Sequence, residues 1–311
     1  MAVDLKGRSL ARVVDFTKEE IWQIFETTQD LKRRQKMGEP HEILKGRQLA
    51  MVFQKPSTRT RVSFEVGISQ LGGHGLYLGA SDLQLARGET IEDTARVLGR
   101  YVDCIMARVF EHEHILALVK HAGVPVINGL SNDYHPCQAL TDIFTVLEKK
   151  GTLEGLKFVF VGDGDNNVTN SLMLTCAILG INFFVASPKK YQPLKKVYKE
   201  AKSLALKSGA EIEILTNPQR AVKKADIIAT DVWVSMGRED REERIKALKP
   251  YQVNQKLIKN AKKDVLVMHC LPAHREEEIT NEVVDGPHSI VFDEAENRLH
   301  VQKALMALMT R

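Results

Sequence analysis

Short, β-branched apolar runs recur along the chain, and between them apolar positions return every three or four residues. In the first half the runs are QLAMVF (48–53), HGLYLG (74–79), CIMARV (104–109) and PVIN (125–128). The intervening stretches 89–102 and 113–123 have helical spacing, and Gly123 closes the second. A second series comprises KFVFVG (157–162), NFFVAS (182–187), AEIEIL (210–215), ADIIATDVW (225–233), DVLVMHCLPA (264–273) and SIVFDE (289–294). Near-continuous apolar strands alternating with amphipathic helices predict an α/β chain of two doubly wound, parallel-sheet domains.

The stretch HPCQALTDIFTVLEKKG (135–151) predicts a helix linking the two halves. Pro136 suits a first helical turn, Leu140, Ile143, Phe144 and Leu147 form a stripe, and Gly151 ends it. The terminal stretch 293–311 predicts a second amphipathic helix. The expected domains are therefore 1–150 and 151–292, with the last helix packing back toward the first and both helices joining the two.

Composition narrows the function. Forty-four basic and 40 acidic side chains leave a net charge of only +4, and no block of five like charges occurs. That argues against a nucleic-acid arm or a polybasic membrane tail. The start lacks the pattern of a secretory signal, and the most apolar window, 172–186, is too short to span a bilayer. Four scattered cysteines without a CxxC make a disulfide framework unexpected. A reduced, soluble, cytoplasmic protein is the expectation.

The chemistry concentrates at strand ends. KPSTRTR (55–61) follows the run 48–53 and opens a helical pattern. Unpaired N–H groups and the positive dipole end favour an anion at such a helix start, and Arg59 can grip phosphate in a bidentate fork. GxxxxGK[ST] is absent, so this is a phosphate holder other than a P-loop.

STRTR (57–61), HPCQ (135–138), DVWVSMG (231–237) and HCLPA (269–273) together resemble the aspartate/ornithine carbamoyltransferase superfamily, over essentially the whole chain and on the ornithine side. The resemblance implies that carbamoyl phosphate and L-ornithine react to L-citrulline and phosphate through a tetrahedral intermediate. It implies that Ser57, Thr58, Arg59 and Thr60 hold the phosphate, that Arg108 bridges phosphate and carbonyl, and that His135 faces the carbonyl oxygen. Gln138, within the segment that also contains Pro136 and Cys137, would meet the carbamoyl amide. Cys270 and Leu271, through backbone carbonyls, and Arg298 would complete the pocket. Gln84 would reach the phosphate of a neighbouring subunit, which implies a homotrimer or an assembly of trimers. Asn167, Asp231, Ser235 and Met236 would bind ornithine.

Elementary chemistry asks for the same groups. A departing phosphate needs cations and a tetrahedral oxyanion needs donors, which Arg59, Arg108, His135 and Thr60 can supply. An alkyl ammonium, with a pKa of about 10.4, must lose a proton before attack. Asp231 is expected to position that amine and Cys270 to help deprotonate it. No metal or cofactor is required: EHEH (111–114) reads as solvated surface, and HCLPAH (269–274) lacks a fourth ligand. GDGDNN (162–167) partly matches a dinucleotide fingerprint, with Asn167 where the third glycine belongs, so an NAD-dependent oxidoreductase is the generic rival. The charged segment 235–250 is expected to cover the amino acid.

Overall fold

The structure is a computed structural model that describes residues 3–234 and 240–310. The chain divides into two compact units, Met1–Thr141 with Glu296–Arg311, and Asp142–Ala295. The first carries strands β1 (Gln48–Phe53), β2 (His74–Gly79), β3 (Cys104–Arg108) and β4 (Val126–Leu130), with helices α1 (Lys18–Lys36), α2 (Thr58–Gln70), α3 (Ile91–Leu98) and α4 (His112–His121). Helix α5 (Pro136–Lys150) leads into the second unit. There follow β5 (Lys157–Val161), α6 (Asn167–Leu179), β6 (Asn182–Ala186), α7 (Lys195–Ser208), β7 (Ile212–Leu215), α8 (Pro218–Val222) and β8 (Ile227–Thr230). The unit ends with α9 (Arg241–Leu248), α10 (Gln255–Ile258), β9 (Leu266–His269) and α11 (Asn281–Val284), and α12 (Val291–Thr310) returns to the first.

Both sheets are parallel, in the orders β2-β1-β3-β4 and β7-β6-β5-β8-β9. The inner strands β3 and β8 are buried at every position, as strands covered on both faces must be. The edge strand β2 is half-exposed and carries Gly75 and Gly79. Ala50, Val52, Ile105, Ala107, Ile115 and Leu118 belong to one core, and Val159, Val161, Ile228, Val265 and Val267 to another. The strand order reverses between β1 and β3 in the first sheet and between β5 and β8 in the second. Ligands of open α/β sheets bind beyond the carboxyl ends of strands at such reversals.

Local chemistry sets the helix ends. Thr17 and Glu20 form a reciprocal capping box at α1, and Thr90 caps α3. Both helices place acids in their first turn, Glu19 and Glu20 in α1, Glu92 and Asp93 in α3, whereas the first turn of α2 has none. The positive end of α2 is therefore not neutralised from within its own first turn.

Three expectations change. SIVFDE is not a strand: Ser289 makes an isolated bridge to Val267, and α12 begins at Val291 with Asp293 and Glu294 in its first turn. Helix α12 is a helix as expected but not an amphipathic one, because its polar residues Asn297, Arg298, His300, Gln302 and Lys303 are buried along with its apolar ones. EHEH is not simply solvated surface. His112 is buried with its Nδ1 3.0 Å from the Ser131 hydroxyl, and the His114 ring meets the Gln54 amide.

Candidate active site

The first half-site grows from the strand ends of the first sheet. Beyond β1, Ser57 caps α2, its hydroxyl accepting from the Thr60 N–H at 3.3 Å. Thr58 is exposed and Arg59 half-buried at the same helix start, and Arg59 makes no hydrogen bond or ion pair with the other described residues. Arg108 closes β3 where the pairing with β4 slips by one residue, from Ala107 opposite Asn128 to Arg108 opposite Leu130. Gly129 makes that irregular passage feasible, since a Cβ there would stand 2.6 Å from the Met106 sulfur.

Three groups converge on one hydroxyl. The Thr60 Oγ1 lies 3.1 Å from the Ser57 hydroxyl, 3.5 Å from Arg108 Nη1 and 3.3 Å from Arg298 Nη2. A hydroxyl offers two lone pairs, so Thr60 gathers donors from three side chains onto one small acceptor. Arg298 Nη1 also donates to the Gln138 side-chain oxygen at 2.5 Å, in the first turn of α5. His135 immediately precedes that helix. Burial, then the Arg298 and Arg108 charges, push its imidazole pKa well below the ordinary histidine value, so the ring is neutral at pH 7. Lys55 is buried as well, donating to Asn132 Oδ1 at 2.5 Å and lying 4.4 Å from the Phe110 ring centroid. Desolvation chiefly, with the Arg108 charge, lowers its pKa, while Glu111 acts in the opposite direction. A buried concentration of positive charge and donors is costly unless an anion completes it.

Of the remaining first-unit candidates, Gln84 is exposed in the short 3-10 turn Gln84–Arg87. Pro136 opens α5, and Cys137 spends its thiol on the Asn128 carbonyl at 3.4 Å, with burial pushing its pKa up to about 12. The Cys137 side chain is thus a packing group beneath β4. Lys55 was part of a conspicuous motif, yet nothing in the sequence marks it as buried.

The second half-site follows from strand register. Thr230 of β8 pairs with His269 of β9, so the next residues, Asp231 and Cys270, fall side by side. The Cys270 thiol donates to Asp231 Oδ1 at 3.2 Å, and the same oxygen accepts the Val232 N–H at 2.8 Å. Burial first, then the charges of Asp231, Glu294 and Asp142, raise the Cys270 pKa well above its usual value. In this state the sulfur is a protonated donor and Asp231 the acceptor, the reverse of a resting thiolate base. Leu271 sits at φ 55°, and its N–H donates to His269 Nδ1 at 2.9 Å. That bond fixes the tautomer: His269 Nε2 carries the proton and donates to the buried Glu278 at 3.1 Å. Asn167 begins α6, whose cap is Asn166 accepting from Thr169 N–H at 2.8 Å. Ser235 and Met236 lie outside the described residues.

The GDGDNN turn is filled by its own chain. A Cβ on Gly164 would stand 2.8 Å from Pro193 Cδ and from the Tyr191 carbonyl oxygen, and one on Gly162 3.3 Å from the Trp233 ring nitrogen. Asp163 is buried in an ion pair with Arg244. The glycines thus admit packing where a dinucleotide turn would admit pyrophosphate, and the buried pair fixes a carboxylate there. Within the charged segment 235–250, of which residues 240–250 are described, buried Arg244 anchors α9 to the interior of the unit. Among the described residues, Asp231, His269 and Cys270, and separately His274, Glu277 and Glu278, bring ligand-type atoms within 4.8 Å of one another. In the first group both ring nitrogens of His269 are already engaged.

Residues 8–148 match the family described as the aspartate/ornithine carbamoyltransferase carbamoyl-P binding domain, and residues 154–309 match its Asp/Orn binding domain. An ornithine carbamoyltransferase of Pyrococcus abyssi is 60% identical over 310 residues, covering 99% of this chain and 98% of that protein. A relative from Pyrococcus furiosus, named as an anabolic ornithine carbamoyltransferase, is 59% identical over 310 residues and also covers 99% and 98%. The solved ornithine carbamoyltransferase from Pyrococcus furiosus superposes with a TM-score of 0.97 at 58% identity, covering 99% of each chain. The Gloeobacter violaceus enzyme gives 0.89 at 40% identity, covering 99% of this chain and 100% of that one.

Proposed function

The chain belongs to the aspartate/ornithine carbamoyltransferase family, and on that premise we propose that it transfers the carbamoyl group of carbamoyl phosphate to the δ-amine of L-ornithine, giving L-citrulline and phosphate. The observation that carries the reading is the convergence of Arg108, Arg298 and the Ser57-capped helix start on the Thr60 hydroxyl. It lies largely within the carbamoyl-P binding match and supplies donors for a phosphate dianion.

The chemistry then follows. The δ-ammonium of ornithine gives up a proton, and its nitrogen lone pair attacks the carbonyl carbon. A C–N bond forms and the carbonyl π pair moves onto oxygen, making a tetrahedral oxyanion. Neutral His135 and Thr60 donate to that oxygen, and Arg298 with Gln138 orients the carbamoyl group. Collapse breaks the bond to the phosphate oxygen, the second amine proton leaves, and Arg59 and Arg108 stabilise the departing phosphate. In the second unit Asp231 pairs with the ammonium and is the first proton acceptor. Cys270, protonated at rest, holds the carboxylate in place and relays the proton; this refines its expected role as a base. Asn167, Ser235 and Met236 bind the amino-acid end.

The reading extends to a cytoplasmic homotrimer, or an assembly of trimers, acting in arginine metabolism, with Gln84 of one protomer serving its neighbour and no cofactor. The match to the Asp/Orn binding domain and the names of the relatives support ornithine as acceptor. The deciding experiment measures citrulline and phosphate release from carbamoyl phosphate with ornithine, putrescine or N-acetylornithine. Ornithine-dependent release of both products is expected. Equal or faster turnover of either alternative amine overturns the acceptor assignment, and none with any amine overturns the function.

A further inference from the structure

Gln302 lies in the middle of α12, fully buried, one helical turn beyond Arg298. A primary amide in such a place is costly unless both of its ends are matched. Only one orientation of this amide satisfies its neighbours. Its oxygen then accepts from Arg298 Nε at 3.1 Å and Nη2 at 3.3 Å, and its nitrogen donates to the Ser63 hydroxyl at 2.6 Å. Ser63, also buried, donates in turn to the Thr60 carbonyl oxygen at 3.2 Å. Arg298 Nη2 reaches the Thr60 hydroxyl directly. The result is a closed ring, Arg298 to Gln302 to Ser63 to Thr60 and back, that ties α12 to the first turns of α2.

We propose that Gln302, acting through Ser63, is a positioning residue that fixes the guanidinium plane of Arg298 against the anion-holding end of α2. The proposal rests on the reading of that half-site as the carbamoyl phosphate pocket. Holding the Nε edge of a planar fork sets the direction in which its other edge faces a ligand. Gln302 occupies that edge while Gln138 takes Nη1 and Thr60 takes Nη2. Because Ser63 sits one turn from Thr60 on the same helix, any tilt of α2 is carried to Arg298 through one amide. Neither Gln302 nor Ser63 needs to touch the ligand. Their effect falls on anion affinity and on the alignment of the carbamoyl group, and leaves the acceptor amine unaffected.

The test uses the full-length protein with Gln302→Met, which keeps the volume and removes the amide, Ser63→Ala, and the double variant. Calorimetric titration with inorganic phosphate reads the anion site without turnover, and steady-state kinetics add KM for both substrates. Gln302→Met is expected to weaken phosphate binding and raise the carbamoyl phosphate KM about tenfold, the scale of one lost hydrogen bond to a charged group, with the ornithine KM unchanged. Ser63→Ala is expected to cost about threefold alone and nothing further on the Gln302→Met background, because the two act in series. Unchanged phosphate affinity with a lowered melting temperature would make Gln302 a purely structural residue and overturn the proposal, as would full additivity in the double variant. If Gln302→Met does not fold, unchanged affinity in Ser63→Ala overturns it equally. A wild-type protein that binds phosphate yet carbamoylates no amine would sink the functional reading while the titrations still judged the positioning role.

Discussion

The two half-sites are built on opposite principles. In the first unit, Arg108 and Arg298 donate to neutral oxygens, from Thr60, Gln138 and Gln302, and their charges, after burial, help to keep His135 neutral. In the second, a protonated thiol donates to a carboxylate. The difference suits the roles that the proposed function gives them. On the proposed reading, a leaving phosphate is anionic throughout the neutral range and is met by cationic and neutral donors, whereas an alkyl ammonium must lose a proton and is met by an acceptor.

Substitutions should separate the halves. Arg108→Gln removes a permanent cation that the proposed function places beside the leaving group, and steady-state assays are expected to show kcat lowered roughly 10³-fold with a raised carbamoyl phosphate KM. A loss confined to KM would mean that Arg108 binds without assisting departure. Asp231→Asn keeps shape and removes the acceptor; kcat is expected to fall about 10²-fold, with phosphate affinity unchanged by calorimetry. Parent-like turnover would remove Asp231 from proton transfer. Cys270→Ser keeps a donor facing Asp231, so about a tenfold loss in kcat at constant carbamoyl phosphate KM is expected, and equal rates would reject any part for the sulfur.

Two pH measurements sharpen the contrast further. The folded chain holds His135 below its ordinary pKa of 6.5, so it binds fewer protons than the unfolded chain in mildly acidic solution. The stability tied to neutral His135 is therefore present above about 6.5 and lost as pH falls below it. Bound phosphate should raise the His135 pKa, visible in the pH dependence of its imidazole NMR shifts; a phosphate-insensitive titration would place the anion elsewhere. Smallest is the effect of Lys303, buried against Gln35, Gln70 and His41, whose pKa desolvation lowers from 10.5 to about 8. Between those two values the unfolded chain keeps a proton that the folded chain has released, so stability rises with pH across the window. The difference in melting temperature between wild type and Lys303→Met should show that slope, and parallel curves would contradict it.

The legible residues were those whose type is odd for their place. Ser57 to Thr60 stood out as hydroxyls and a cation after an apolar strand, and Asp231 as a carboxylate closing one. Pattern reading also gave parallel α/β sheets, since strands buried on both faces leave continuous apolar runs. It could not give the strand order, which decides that β1 and β3 flank one reversal and β5 and β8 the other. Nor could it show the slip at Ala107 and Arg108, or that His112 is buried while its neighbours are not. The largest gap was α12. The stretch reads as an amphipathic helix, and only Arg298 is singled out, by the resemblance; the burial of Asn297, Gln302 and Lys303 is not legible, because sequence reports polarity but not whether a partner amide or hydroxyl waits on the other side.

Helix α12 also bears on how the molecule is made. Its residues from Glu296 onward belong to the same unit as the opening 141, so that unit stays short of one of its two converging guanidinium groups until Arg298 has been synthesised. Nascent chains ending between Leu130 and Arg298 would contain all four strands of the first sheet but not the Arg298 guanidinium that meets Thr60. On the proposed reading, such copies would lack one of the groups that meet carbamoyl phosphate.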